Sequence, residues 1–357
     1  MLTKNEIMPS SIDSVFGLPW LRYIIDERCF ESNKHASFEQ FDDVILTVKE
    51  YANKDKIAIS LSGGLDSMVM LHVFAQNTNA EVIAFHLNYN NRVESADEAR
   101  FLKKYCETCG VELIVDEIIG MNRSNTKRSS YEKESRRIRF QNYRDLIEKH
   151  KCEGIHLAHH KGDIVENIFT NVLKNTHHDD LSVLKKSNII DGVQIVRPFL
   201  GLEKDRLFMY ADKFRIPYFK DSTPSWSCRG MMRNEIFPKL DECFGEQFYQ
   251  NLLNFDKERS NANELISMLM KQHTLFVSVG NIFTLNVAIG HTTDMPIYFW
   301  TLIFNSFCEN VKIKYFSKKS IINFYRNRDR LQTIVMSPDC TLYVPGYYRL
   351  IEMQLNL

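Results

Sequence analysis

Ser62-Gly63-Gly64-Leu65-Asp66-Ser67 is the segment of this chain best suited to holding an anion. It follows the apolar run Ile57-Ala58-Ile59-Ser60-Leu61 and precedes an apolar stretch from Met68 to Phe74. It therefore reads as a strand, a glycine turn and a helix start. Glycines open backbone conformations closed to bulkier residues, and Asp66 and Ser67 suit a first helical turn. Backbone N–H groups converge there and the helix dipole favours negative charge, so a phosphate or pyrophosphate is the natural ligand. The spacing matches neither the Walker lysine loop nor GxGxxG. A structural strand-to-helix turn could use the same residues.

A second constellation is His159, Asp163 and Glu166, running from an expected strand end into a helix. Asp163 and Glu166 are three apart and share a helix face, so both carboxylates can address one pocket. Acidic residues also stabilise a helix start without any chemistry. Arg136, Arg137 and Arg139 lie in a basic stretch with Arg123, Lys127, Arg128, Lys133 and Arg144, partly offset by Glu132, Glu134 and Asp145. Guanidinium groups grip phosphates bidentately, and a solvated charged face has the same composition. His86 and Arg92 flank a loop at another strand end, where a histidine is also compatible with a structural role. His177, His178, Asp179 and Asp180 are metal-ligand types, but consecutive residues rarely converge on one ion, and a solvated loop is the preferred reading. Cys106 and Cys109 form a CxxC with no second pair to complete a zinc site.

These residues need a scaffold, and the chain predicts one. Strand signals at 57–61, 81–87, 112–116, 155–158 and 194–196 alternate with helix signals at 66–76, 95–109, 131–150, 162–174 and 203–214. The expected fold is α/β, a doubly wound parallel sheet with helices on both faces. Ligands bind such sheets beyond the carboxyl ends of the strands, where the residues above fall. From about 225 the pattern changes to helices over 232–272 and 295–325 and strands over 331–355, a smaller C-terminal α+β domain. The expected domains are thus an N-terminal extension 1–50, a catalytic domain 51–225 and a C-terminal region 226–357. Lys+Arg and Asp+Glu both number 45, so bulk charge announces no nucleic-acid partner and any such site must be a local patch. Eight scattered cysteines suggest reduced thiols. No segment is apolar enough to cross a membrane, and the N-terminus carries no signal-peptide pattern, so a cytoplasmic protein is expected.

The glycine segment resembles the pyrophosphate loop (PP-loop) of the N-type ATP pyrophosphatases. Five further segments follow it in order: His86-Leu87-Asn88-Tyr89-Asn90-Asn91-Arg92, Glu132 to Phe140, Ala158 to Glu166, Arg197-Pro198-Phe199-Leu200, and Asp221-Ser222-Thr223 leading into Arg229 to Pro238. Together, over about Lys56 to Leu240, they resemble the tRNA(Ile)-lysidine synthetase family. That resemblance implies the adenine nucleotide alpha hydrolase-like fold and an ATP-dependent ligase. The family adenylates C2 of the wobble cytidine of a CAU-anticodon tRNA(Ile), and the side-chain amine of free L-lysine then displaces AMP.

By resemblance, Ser62, Gly63, Gly64, Leu65, Asp66, Ser67 and His86 would bind ATP, with Asp66 also positioning Mg²⁺. His159, Asp163 and Glu166 would hold lysine. Asp163, Asp66 and Arg139 would be catalytic, Asp163 as base or amine-orienting group. Arg136, Arg197, Arg229 and Arg233 would contact tRNA phosphates. Lys312, Lys314, Lys318, Lys319, Arg326, Arg328 and Arg330 would add local positive charge for the tRNA. A homodimer is compatible with the family. Tyr89, Asn167 and Pro224 depart from its pattern, as does the loop at 174–180. The alternatives are another RNA-modifying PP-loop enzyme, such as a tRNA thiolase, and an RNA-binding homologue without catalysis.

Overall fold

The computed structural model describes residues 24–30, 40–90, 93–119, 128–176, 180–221, 223, 227–279, 282–287, 295–328, 332–338, 340–344 and 350–355. The chain divides into two compact units, Met1–Asp256 and Lys257–Leu357. That division falls beyond the boundary expected at 225.

In the first unit α1 (Asp42–Lys49) precedes β1 (Lys56–Ser60), α2 (Leu65–Asn77), β2 (Glu81–Asn88), α3 (Ser95–Thr108) and β3 (Glu112–Glu117). Then come α4 (Arg128–His150), β4 (Ile155–His156), α5 (Lys161–Lys174), β5 (Ser187–Ile190), β6 (Val193–Val196) and α6 (Lys204–Lys213). The six-stranded sheet runs β3-β2-β1-β4-β6-β5. All its pairings are parallel except β5 with β6, an antiparallel edge hairpin absent from the expected alternation.

Period-two alternation divides the strands between two cores. Ile57, Ile59, Val82 and Ala84 pack with α2, α3 and α6, whereas Ala58, Ile83, Phe85 and Leu87 pack with Phe140, Tyr143 and Leu146 of α4. Burial on both faces explains why these strands read as continuous apolar runs. Met68 to Phe74 of α2 are buried all round, as expected of a helix enclosed by a sheet and other helices. The chain order reverses between β1 and β4, which opens a crevice at their carboxyl ends.

The described residues Ile24 to Asp26, before α1, are built into this unit. Ile25 bridges Phe219, the Asp26 N–H donates to the Tyr218 carbonyl at 3.0 Å, and the Lys220 N–H donates to the Ile24 carbonyl at 2.9 Å.

Short helix α7 (Cys228–Met231), a π-turn (Met232–Ile236), α8 (Phe237–Phe244) and the start of α9 (Gln247–His273) complete the unit. The second unit holds an antiparallel sheet of order β7-β8-β11-β10-β9. Its strands are β7 (Thr274–Val279), β8 (Ile282–Val287), β9 (Gln332–Ser337), β10 (Cys340–Val344) and β11 (Leu350–Leu355). Helices α10 (Ile297–Val311) and α11 (Lys318–Asn327) supply its aromatic core, including Trp300, Phe304, Phe307 and Phe324. Among the described residues, no helix is long and apolar enough to cross a membrane.

Two buried histidines set an acid limit on this fold. His72 bonds Tyr210 Oη and His156 bonds the Ala58 carbonyl. Burial pushes both imidazoles down to about 4. In the unfolded chain they protonate near 6.5. The stability linked to them is complete above 6.5 and declines as pH falls toward 4, by about 1.4 kcal/mol per pH unit for each ring. Between pH 6.5 and 5 the pair should cost about 4 kcal/mol. Urea unfolding at several pH values checks this; equal midpoints at pH 7 and pH 5 would contradict it.

Candidate active site

The glycine loop joins β1 to α2 as expected. Gly64 caps α2 with φ −72°, while Gly63 has φ +85°, a region that L side chains rarely adopt. A Cβ on Gly63 would lie 2.1 Å from the Phe219 ring, and the Phe219 N–H donates to the Gly63 carbonyl at 2.8 Å. The loop is braced from within: Ser62 Oγ lies 3.0 Å from Ser67 Oγ, and the Gly64 N–H donates to Ser62 Oγ at 3.3 Å. His86, buried at the end of β2, bonds the Leu61 carbonyl through Nδ1 at 2.9 Å and so adjoins the loop's first residue.

Asp66 lies in the first turn of α2. Burial pushes its carboxyl up, outweighing the opposing His160 and Lys204. Its Oδ1 is buried without a hydrogen-bond partner. Such an orphaned hard oxygen beside the glycine loop is of the kind that fits a Mg²⁺ ion. Among the described residues no three His, Cys, Asp or Glu side chains form a metal cage of their own.

The second constellation meets the loop from β4. His160 caps α5: its Nδ1 accepts the Gly162 N–H at 3.0 Å, and Asp163 Oδ2 accepts the His160 N–H at 3.0 Å. Because Nδ1 accepts, the neutral ring carries its proton on Nε2. That nitrogen lies 3.8 Å from Asp66 Oδ2 and 3.7 Å from Asp163 Oδ2, between the two carboxylates. Burial pushes the Asp163 carboxyl up, but the His160 and His159 rings, the His160 N–H and Arg229 outweigh it, so the net shift is downward.

Glu166, one helical turn on, is buried; its Oε1 accepts from Arg233 Nε in a short contact, and its Oε2 lies in ion-pair range of Arg229 Nε at 3.3 Å. Arg233 also approaches Asp163 and Asp221, each at 3.7 Å. Both arginines sit at the α7 and π-turn junction, an irregularity often found at functional sites.

The sequence candidates divide accordingly. The structure brings together the loop 62–67, His86, His159, Asp163, Glu166, Arg229 and Arg233. Arg139 of α4 is half-buried with Nε unpartnered. Its charge is felt by Tyr143, whose hydroxyl bonds Ser60 Oγ at the end of β1. Arg136 is exposed and pairs with Asp191 of the β5–β6 turn at 2.9 Å. Arg197 is 2 % exposed, with its Nε and Nη1 donating inside the protein.

Arg92, Arg123, Lys127, His177, His178, Asp179, Pro224 and Arg330 lie outside the described residues. Cys106 of the CxxC is buried and its thiol is pushed up to about 12; the Cys109 thiol is also raised by burial. Neither is poised as a thiolate. Sequence reasoning passed over His160, Phe219 and the role of Asp221. For His160 the spacing to Gly162 and Asp163 was a usable capping-box signal.

Residues 34–240 match the PP-loop domain family. The tRNA(Ile)-lysidine synthase of Chlamydia felis is 33% identical over 221 residues, which cover 61% of this chain and 67% of that one. The enzyme of that name from Chlamydia abortus is 30% identical over 242 residues, covering 67% and 72%. Among solved structures, the U34-tRNA thiolase NcsA from Methanococcus maripaludis is similar with a TM-score of 0.49 and 18% identity, over 62% of this chain and 79% of that chain.

Proposed function

The chain belongs to the PP-loop domain family and within it to the tRNA(Ile)-lysidine synthases, and from that premise we propose that it ligates free L-lysine to C2 of the wobble cytidine of a CAU-anticodon tRNA(Ile). It is an ATP-dependent ligase acting on tRNA. The observation that carries the finer reading is the juxtaposition of two carboxylates with a phosphate loop. Asp163 and Glu166 lie on one helix face, and a single imidazole, His160, spans from Asp163 to Asp66 of the loop.

In the first half-reaction the loop N–H groups at 62–67 hold the ATP phosphates. Asp66 and those phosphates would hold Mg²⁺, which supplies charge neutralisation when bound. The cytidine 2-oxygen attacks the α-phosphorus and pyrophosphate leaves. Arg139, with its unpartnered buried Nε, stabilises the growing charge on the phosphoryl oxygens.

In the second half-reaction Asp163 and Glu166 receive the lysine side-chain nitrogen, and His159 lines the same pocket. The nitrogen gives up its first proton to solvent and, as the neutral amine, attacks C2; the C–N bond forms and the C–O bond to AMP breaks. A nitrogen bonded to that electron-poor carbon is far more acidic than a free ammonium, so a carboxylate of low pKa suffices to take its proton. Asp163 is that acceptor. Arg229 and Arg233 screen the acidic pair and face the AMP and tRNA phosphates. Arg136 lies further out, on the expected path of the RNA.

The test is pyrophosphate release from ATP with lysine and unmodified CAU-anticodon tRNA(Ile), with nucleoside mass spectrometry of the product. Release together with lysidine is expected. Release with a different adduct would reassign the nucleophile, and no release across an RNA panel would overturn the reading.

A further inference from the structure

Arg197 is the largest wholly buried side chain in the described structure, and no carboxylate partners it. Nη1 donates to the Lys185 carbonyl and to Asn188 Oδ1, both at 2.7 Å, and Nε donates to His159 Nδ1 at 3.3 Å. Its backbone N–H donates to the Lys186 carbonyl at 2.8 Å. Burying a guanidinium against neutral acceptors is unfavourable, and an apolar side chain would fill the volume at less cost. A guanidinium buried just past the end of β6 asks for a purpose beyond packing.

The chemistry of the contact supplies one. A guanidinium has donors only and stays charged. His159 Nδ1 must therefore present its lone pair, and the ring proton sits on Nε2. Protonating Nδ1 would set two cations against each other in a half-buried site. The charged and titratable groups facing His159 are Asp163 from α5, Arg197 from β6, Arg229 from α7 and its neighbour His160. Asp163 favours the imidazolium, while Arg197, Arg229 and burial oppose it. Burial is the largest influence and the ring is pushed down to about 4. A group so disposed is a poor base near neutral pH and a steady hydrogen-bond donor.

We propose that Arg197 is a positioning residue that locks His159 in its Nε2–H tautomer, so that His159 enters the ligation as a fixed hydrogen-bond donor to a substrate oxygen. Asn188 and the Lys185 carbonyl, from β5 and the segment before it, hold the guanidinium in place. The edge hairpin is thus the outermost support of a chain that runs Asn188, Arg197, His159. The role of the donor rests on the ligase reading above; the tautomer does not.

The test uses the full chain labelled with ¹⁵N-histidine. The His159 signals, assigned by their loss in His159→Gln, should show a protonated Nε2 and a bare Nδ1 from pH 8 down to 5.5. In Arg197→Met the ring should become a tautomeric mixture and titrate closer to 6.5. The lysidine-forming rate of that variant should then be lower than that of the unaltered protein at pH 8, where the share of neutral rings protonated on Nδ1 presents no donor to the substrate.

His159→Gln places an amide N–H near the Nε2 position and should stay within about tenfold of full activity. His159→Asn reaches only the Nδ1 position and should lose about a hundredfold, the cost of removing one fixed donor. If Arg197→Met does not fold, the spectrum of the unaltered protein and the Gln/Asn pair still decide. An Nδ1-protonated His159, or an Asn variant more active than the Gln variant, overturns the proposal. A correct tautomer in a protein that forms no lysidine would overturn the functional reading instead.

Discussion

Asp163→Asn lowers lysidine formation by about two to four orders of magnitude, the range for removing a positioned proton acceptor, and leaves the fold intact. The two effects separate because Asp163 has two jobs. Its Oδ2 accepts the His160 N–H and closes the capping box of α5. An asparagine amide oxygen can take over that bond, so the helix start survives. What is lost is the negative charge and the ability to accept a proton from the attacking nitrogen. Asp163→Ala removes the cap as well and should cost a further ~1 kcal/mol of stability. Pyrophosphate release from ATP and tRNA without lysine discriminates further. It should persist in Asp163→Asn, since adenylation precedes the nitrogen's arrival. An equal loss in both half-reactions would show that Asp163 serves the nucleotide and not the amine.

Gly63→Ala should abolish ATP-dependent pyrophosphate release and destabilise the protein by about 2–6 kcal/mol. Two costs combine. At φ +85° a side chain is strained by about 1–3 kcal/mol. The added methyl would also overlap the buried Phe219 ring, and overpacking of that kind costs about 1–3 kcal/mol. Gly64→Ala is the control. Its Cβ would meet only Ser62 Oγ, at an ordinary 3.5 Å, and its φ of −72° suits alanine. Thermal unfolding should therefore move for Gly63→Ala and barely for Gly64→Ala. Indistinguishable melting of the two variants would refute the role given to the Phe219 contact.

The parallel core of the sheet was legible because strands buried on both faces are written as unbroken apolar runs. The edge hairpin was not. In β5 only four residues pair, and Ile189 is 72 % exposed, so no buried period marks the strand. With β5 unread, nothing in the sequence marked Arg197 as buried. The hairpin of β7 and β8 was missed as well, lying between the stretches assigned to helix.

In the site, the carboxylates were visible because their spacing on α5 is local. The bridge from His160 to Asp66 was not, because it joins β4 to the loop after β1 and depends on which imidazole nitrogen faces Gly162. The π-turn that carries Arg233 has no sequence signature, since each of its residues is compatible with a helix.

Phe219 closes over Gly63, and Ile24 to Asp26 are laced to Tyr218, Phe219 and Lys220. During translation, residues 24–26 and the glycine loop leave the ribosome early and residue 219 much later. Until then Gly63 lacks both the ring above it and the N–H on its carbonyl. A nascent chain that ends before Tyr218 therefore cannot hold the loop in its finished shape. Competence to bind nucleotide arrives as a late event of synthesis, set by a contact between distant parts of the chain of the kind that slows folding.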